Sequence, residues 1–178
     1  MKLSRTLLSL SIALIVTASP IYAASTTLTA GERASLASIA AIDKGEILLS
    51  IVASNKKPSS GVADFAKMMI DQHGSNLTQI LEMANNLHAF PLIGGNAEKL
   101  KEQGAKEMMA LSGLQGEQFD KAYVDAMVKG HQGALDLISQ HLMKTAKHEE
   151  IKKFLTDTQT VVEHHLEDAK KLQAEMKS

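Results

Sequence analysis

Apolar residues recur with a period near 3.6 along four long stretches of this chain. Short runs rich in Gly, Pro, Ser and Asn separate the stretches, so each predicts an amphipathic helix. The first helix is expected from Thr29 to about Asn55, opened by the capping-box pattern Thr29-x-x-Glu32 and stopped before Lys57-Pro58. The second runs from Ser59 or Ser60 to about Leu87 and ends at Phe90-Pro91 and Gly94-Gly95. A shorter helix, capped by Asn96, covers roughly residues 97–111 and breaks at Ser112-Gly113 and Gly116. The third long helix is expected from Glu117 to about Thr145 and the last from near His148 to Met176.

Stepping about 100° per residue places the faces. Val62, Ala66, Met69, His73, Ile80 and Leu87 share one stripe on the second helix. Tyr123, Met127, His131, Ala134, Ile138 and Leu142 share one on the third long helix. On the last, Ile151, Leu155, Val162, His165, Ala169, Leu172 and Met176 align, which turns His164 away and makes His165 the inward histidine. The first helix carries Leu36, Ile39, Ala40, Ile42, Ile47 and Ile51, interrupted at mid-helix by Asp43 and Glu46. A phrase also repeats: Met69-Ile70-x-x-His73-x-x-x-Leu77-x-x-Ile80 returns as Met127-Val128-x-x-His131-x-x-x-Leu135-x-x-Ile138, which puts Leu135 on the core side. Four amphipathic helices of similar length predict an all-α, up-down four-helix bundle with an extra short helix before the third long helix. In such a bundle mid-helix residues share a layer, so Asp43 or Glu46, His73, His131 and His165 are expected to converge.

Composition agrees, with 3% aromatic residues, three prolines and no cysteine in 178 residues. Lys2 and Arg5, the apolar run from Leu7 to Ala18, and Ala23-Ala24 read as a secretory signal cleaved after Ala23. That leaves residues 24–178 as one domain. The apolar run is too short for a permanent membrane anchor, so no integral membrane segment is expected after processing. The formal charge of −1 becomes −3 without Lys2 and Arg5, and no basic stripe suggests nucleic acid as a partner. The expected product is a periplasmic protein, monomeric or weakly dimeric. Without cysteine, thiolate zinc sites, covalent haem and thiol catalysis are excluded.

Three histidines near the centres of apolar stripes are costly unless paired or ligated. Three imidazoles and a carboxylate suit copper, zinc or iron, and Met69 and Met127, one turn from His73 and His131, are possible further ligands that would favour copper. Asp120 is about 16 Å from His131 along the helix and reads as a first-turn acid instead. No Glu-x-x-His pair, nucleophile motif or phosphate loop is present, so no catalytic residue is assigned.

The order of Gly45-Glu46, Met69-Ile70-Asp71-Gln72-His73, Phe119-Asp120-x-x-Tyr123-x-x-x-Met127-Val128-x-x-His131-Gln132 and Glu163-His164-His165-Leu166-x-x-Ala169 resembles the exported bacterial domain-of-unknown-function 4142 family. The resemblance spans nearly all of the chain after residue 23. It implies a ferritin-like bundle and marks Glu46, His73, His131 and His165. Members are often labelled outer-membrane proteins, which implies a location peripheral to that membrane at most, since no barrel-type strands occur here. The third-helix phrase also resembles an exported Met/His-rich family of ferritin-like domains implicated in copper binding. The leading expectation is a transition-metal site in a buried mid-bundle His/Glu layer. Its alternatives are a non-catalytic structural or stress-related interaction module and, more weakly, a b-type haem bundle.

Overall fold

A computed structural model describes residues 27–176 of the protein; the segment read as a signal peptide lies outside them. The regular elements there are helices: α1 (Ala30–Asn55), α2 (Ser60–Asn86), α3 (Ala97–Ser112), α4 (Gly116–Leu137), a π-helical turn (Ile138–Leu142), α5 (Met143–Thr145) and α6 (Glu149–Glu175). The π-turn joins α4 to α5 without a break, so the third long helix spans the predicted range with one wide turn inside it.

Local sequence explains the boundaries. The Thr29 hydroxyl accepts from Glu32 N while the Glu32 carboxylate accepts from Thr29 N at 2.9 Å, which completes the predicted capping box. The same carboxylate reaches across the fold, where its Oε1 accepts from Lys147 N and His148 N, each at 2.7 Å. Glu32 therefore caps α1 and α6 together. Asn96 stands at the head of α3 but makes no side-chain cap bond. Asp120, expected as a first-turn acid, stands past the first turn of α4, where the acid is Glu117. Asp120 is buried, and its Oδ2 accepts from Ser59 N at 2.8 Å, so α4 supplies the cap at the head of α2.

Two apolar clusters fill the interior. One gathers Leu36 and Ile39 of α1, Ile80 and Met83 of α2, Ile138 and Leu142, and Ile151 and Leu155 of α6. The other gathers Leu49 and Ala53, Val62 and Met69, Phe119 and Met127, and Ala169. Following each helix from cluster to cluster gives its direction. α1 and α6 run from the first cluster to the second, and α2 and α4 run back. The short α3 makes this possible: Ala97 packs with Ala37 and Ala41 of α1 near the first cluster, and Leu111 enters the second. Counted with α3, each successive element reverses direction, while the long helices α2 and α4 run parallel because α3 carries the chain back between them.

The predicted stripes on α2, α4 and α6 are buried except at their ends, where Leu87, Leu172 and Met176 are only half-buried. On α1 the inward face is rotated: Leu49, Ser50 and Ala53 are buried, whereas Ile51 is 42% exposed. The cause is that α1 packs against α3 as well as α2, which widens and shifts its buried face. Leu135, expected on the core side, is only half-buried.

Candidate metal centre

A polar layer lies between the two clusters. Asp43 and Glu46 come to it from α1, His73 and Asn76 from α2, His131 from α4, and Thr158 and His165 from α6. The three histidines are 1–4% exposed. Their ring centroids form a nearly regular triangle, with separations of 5.6 Å for His73 and His131, 5.1 Å for His73 and His165, and 5.3 Å for His131 and His165. One ligating atom from each lies within 4.8 Å of the other two. His164 is exposed, so the rotation of α6 deduced from the sequence is correct.

Each ring is held by an oxygen on one side. His73 Nδ1 donates to Asp43 Oδ1 at 2.8 Å, His131 Nδ1 donates to the Met127 carbonyl at 2.8 Å, and His165 Nε2 donates to Gln72 Oε1 at 2.9 Å. A ring nitrogen that donates leaves the other nitrogen with its lone pair in a neutral imidazole. Those other nitrogens, His73 Nε2, His131 Nε2 and His165 Nδ1, are buried and have no hydrogen-bond partner among the described residues. Unpartnered buried nitrogens are costly. Here three occur in one place, each set by an oxygen behind it, as the ligands of a metal centre commonly are.

Asp43 also accepts from Asn76 Nδ2 at 3.0 Å, and Asn76 Oδ1 accepts from Thr158 Oγ1 at 3.1 Å, so the network fastens α1, α2 and α6. Between Asp43 and Glu46, which the stripe left equivalent, the structure makes Asp43 the partner of His73. Glu46 lies outside the set of mutually close ligand atoms, and its Oε2 is buried without a partner. Met69 and Met127 are fully buried among the apolar residues of the second cluster. Asp71, next to Gln72, is exposed and pairs with Lys67 at 2.7 Å, away from the site.

Electrostatics divide the histidines. Burial, with the charge of His73, lowers His131 to about 4; burial and the neighbouring histidines lower His165 to about 3. Both are neutral at physiological pH and able to ligate. Burial alone would push His73 down, but the hydrogen bond and charge of Asp43 outweigh it and raise the imidazole above its usual range. Burial lifts Glu46 to about 7, a rise that His73 opposes and that Glu107 and Asp43 reinforce. The sequence pointed to the three histidines. It gave no sign of Gln72 or of the Met127 carbonyl as their supports, because neither role has a residue signature.

The chain matches the family described as "Domain of unknown function (DUF4142)" over residues 17–172, and it belongs to that family. A solved structure similar in fold is a DUF305 protein of Streptomyces coelicolor, whose given name presumes it secreted. It is 14% identical, with a TM-score of 0.71 over 87% of this chain and 97% of the other. No curated protein matches the chain. Among the described residues no helix is long and apolar enough to cross a membrane.

Proposed function

We propose that this DUF4142 protein is an exported, periplasmic metal-binding bundle that holds one transition-metal ion on His73, His131 and His165. The observation that carries the reading is the set of three buried, mutually close imidazoles, each fixed through one nitrogen and unpartnered at the other. The donor set fits the ion, since imidazole nitrogens suit copper, zinc or iron, and an ion on His73 would displace the proton that Asp43 favours there. An ion bound there would supply affinity and native-state stabilisation. Export rests on the basic start, apolar run and small residues of positions 2–24. Intact mass of protein from the periplasm is expected to match a chain beginning at Ala24, and a mass that retains Met1 to Ala23 contradicts it.

Copper(II) or zinc(II) should raise the melting temperature of the chelator-treated protein. A ligand at a hundred times its Kd adds about 2.7 kcal/mol to the native state. His73→Ala, His131→Ala and His165→Ala should each remove most of that shift, measured against each variant's own metal-free melting temperature. The exposed-site changes His88→Ala, His141→Ala and His164→Ala should keep it. If neither metal shifts the wild type, the layer serves only to fix helix register, and an intense Soret band in the purified protein would indicate haem instead. A shift that requires Met69 and Met127 and appears with copper(I) but not zinc would assign thioether ligation as well.

A further inference from the structure

The interior also suggests how an ion reaches the histidines. A cleft of about 630 Å3 opens between α1, α3 and α4, and the buried Glu46 carboxyl, 7% exposed, forms part of its wall. Glycines make this wall thin. A Cβ at Gly130 would stand 2.9 Å from Glu46 Oε1, so glycine there lets the carboxyl lie against α4 one residue before His131. The π-turn contributes Gln140 and His141 to the rim, and Glu107 and Asp136 add negative charge against the single lysine, Lys99. Glu46 shares the cleft lining with Glu107 and is buried on the same level of the bundle as His73, whose charge acts on it. A carboxyl with an unpartnered oxygen therefore stands between an acidic cleft and the histidine triangle.

A rival approach exists between α2 and α6, where a cavity of about 170 Å3 touches His73 and His165 directly. That side is fastened. Asn76 bridges Asp43 and Thr158, and Gln72 holds His165, so passage there would break the bonds that orient the ligands.

We propose that the α1–α3–α4 cleft is the entrance for the metal cation, and that Glu46 receives the ion there and passes it to His73, His131 and His165. The inference rests on the histidine triangle being a metal site. An acidic cleft concentrates cations and speeds their arrival in a salt-dependent way, while the carboxylate replaces hydration water before the imidazoles do.

Copper(II) chloride is a suitable probe, because copper(II) binds nitrogen sites more tightly than the other common divalent ions. Its loading can be followed by stopped-flow visible absorbance on full-length processed protein. Gly133→Leu and Gly45→Leu place their side chains where nothing lies within 4 Å of the new Cβ, on two different helices, so either one tests the route if the other fails to fold. Each is expected to slow loading at least tenfold while the final stoichiometry and the metal-induced melting shift stay at wild-type values. Glu46→Gln should slow it similarly, Glu46→Asp should restore part of the rate, and higher salt should slow the wild type more than Glu46→Gln. Val161→Trp, beside the smaller cavity, should load at the wild-type rate. Wild-type rates in both glycine variants, or slowing confined to Val161→Trp, overturn the route and leave the metal reading standing. Wild type that takes up no copper overturns both.

Discussion

His131 and His165 each lack a carboxylate partner and are held by neutral oxygens, whereas His73 faces Asp43 at 2.8 Å. This difference in support, more than burial, separates their proton affinities. Stripe geometry could identify the histidines because a 100° step resolves His165 from His164. It could not choose between Asp43 and Glu46, since residues three apart differ by only about 60° in direction and the choice depends on which neighbouring helix each faces. Another buried carboxylate has a consequence for acid stability. Burial would raise Glu32, but the backbone N–H groups of His148, Thr29 and Lys147 outweigh it and bring the carboxyl down to about 2 from 4.5. A depressed carboxylate contributes stability in full above its unfolded pKa and loses it as pH falls through the folded one. Wild type should therefore lose stability between about pH 4.5 and 2. In Glu32→Gln this part of the loss should be missing, so that urea midpoints of the two proteins converge towards pH 2. Parallel midpoints across that window would mean that the Glu32 charge is not what holds the two helix ends.

Helix extents were legible to within a residue or two because caps and breakers are local chemistry. Thr29-x-x-Glu32 and Lys57-Pro58 act within a single turn. The π-turn at Ile138–Leu142 was not legible, since no residue type demands it and it occurs inside a stripe of unbroken helical spacing. Nor was the role of Asp120, which depends on Ser59 lying across the bundle. A carboxylate on a helix's first N–H groups is favourable through both the hydrogen bond and the macrodipole. Asp120→Ala should accordingly cost about 1–2 kcal/mol by chemical denaturation, and Asp120→Asn, which keeps an acceptor, clearly less. An unchanged midpoint for Asp120→Ala would remove α4 as the source of the cap.

At the scale of the molecule, the clusters flank a polar storey, so the bundle carries more buried polarity at its centre than stability alone favours. Replacing a satisfied or partly satisfied buried polar group with apolar volume is often neutral or stabilising. The combined variant Asp43→Leu, His73→Leu, His131→Leu and His165→Leu should therefore fold, bind no copper and melt at or above the metal-free wild type. A molten or less stable product would mean that the layer sets helix register, which is the non-metal role. The double cap at Glu32 adds a temporal consequence to this architecture. Its bonds to Lys147 and His148 join positions 115 and 116 residues apart in sequence, whereas the capping box closes within three. Contacts of such separation are entropically late in a folding search. One side chain thus acts at two times: it helps to start α1 while the chain is still open, and it seals α6 to α1 among the last events, where it governs how long the folded state survives more than how quickly it is found.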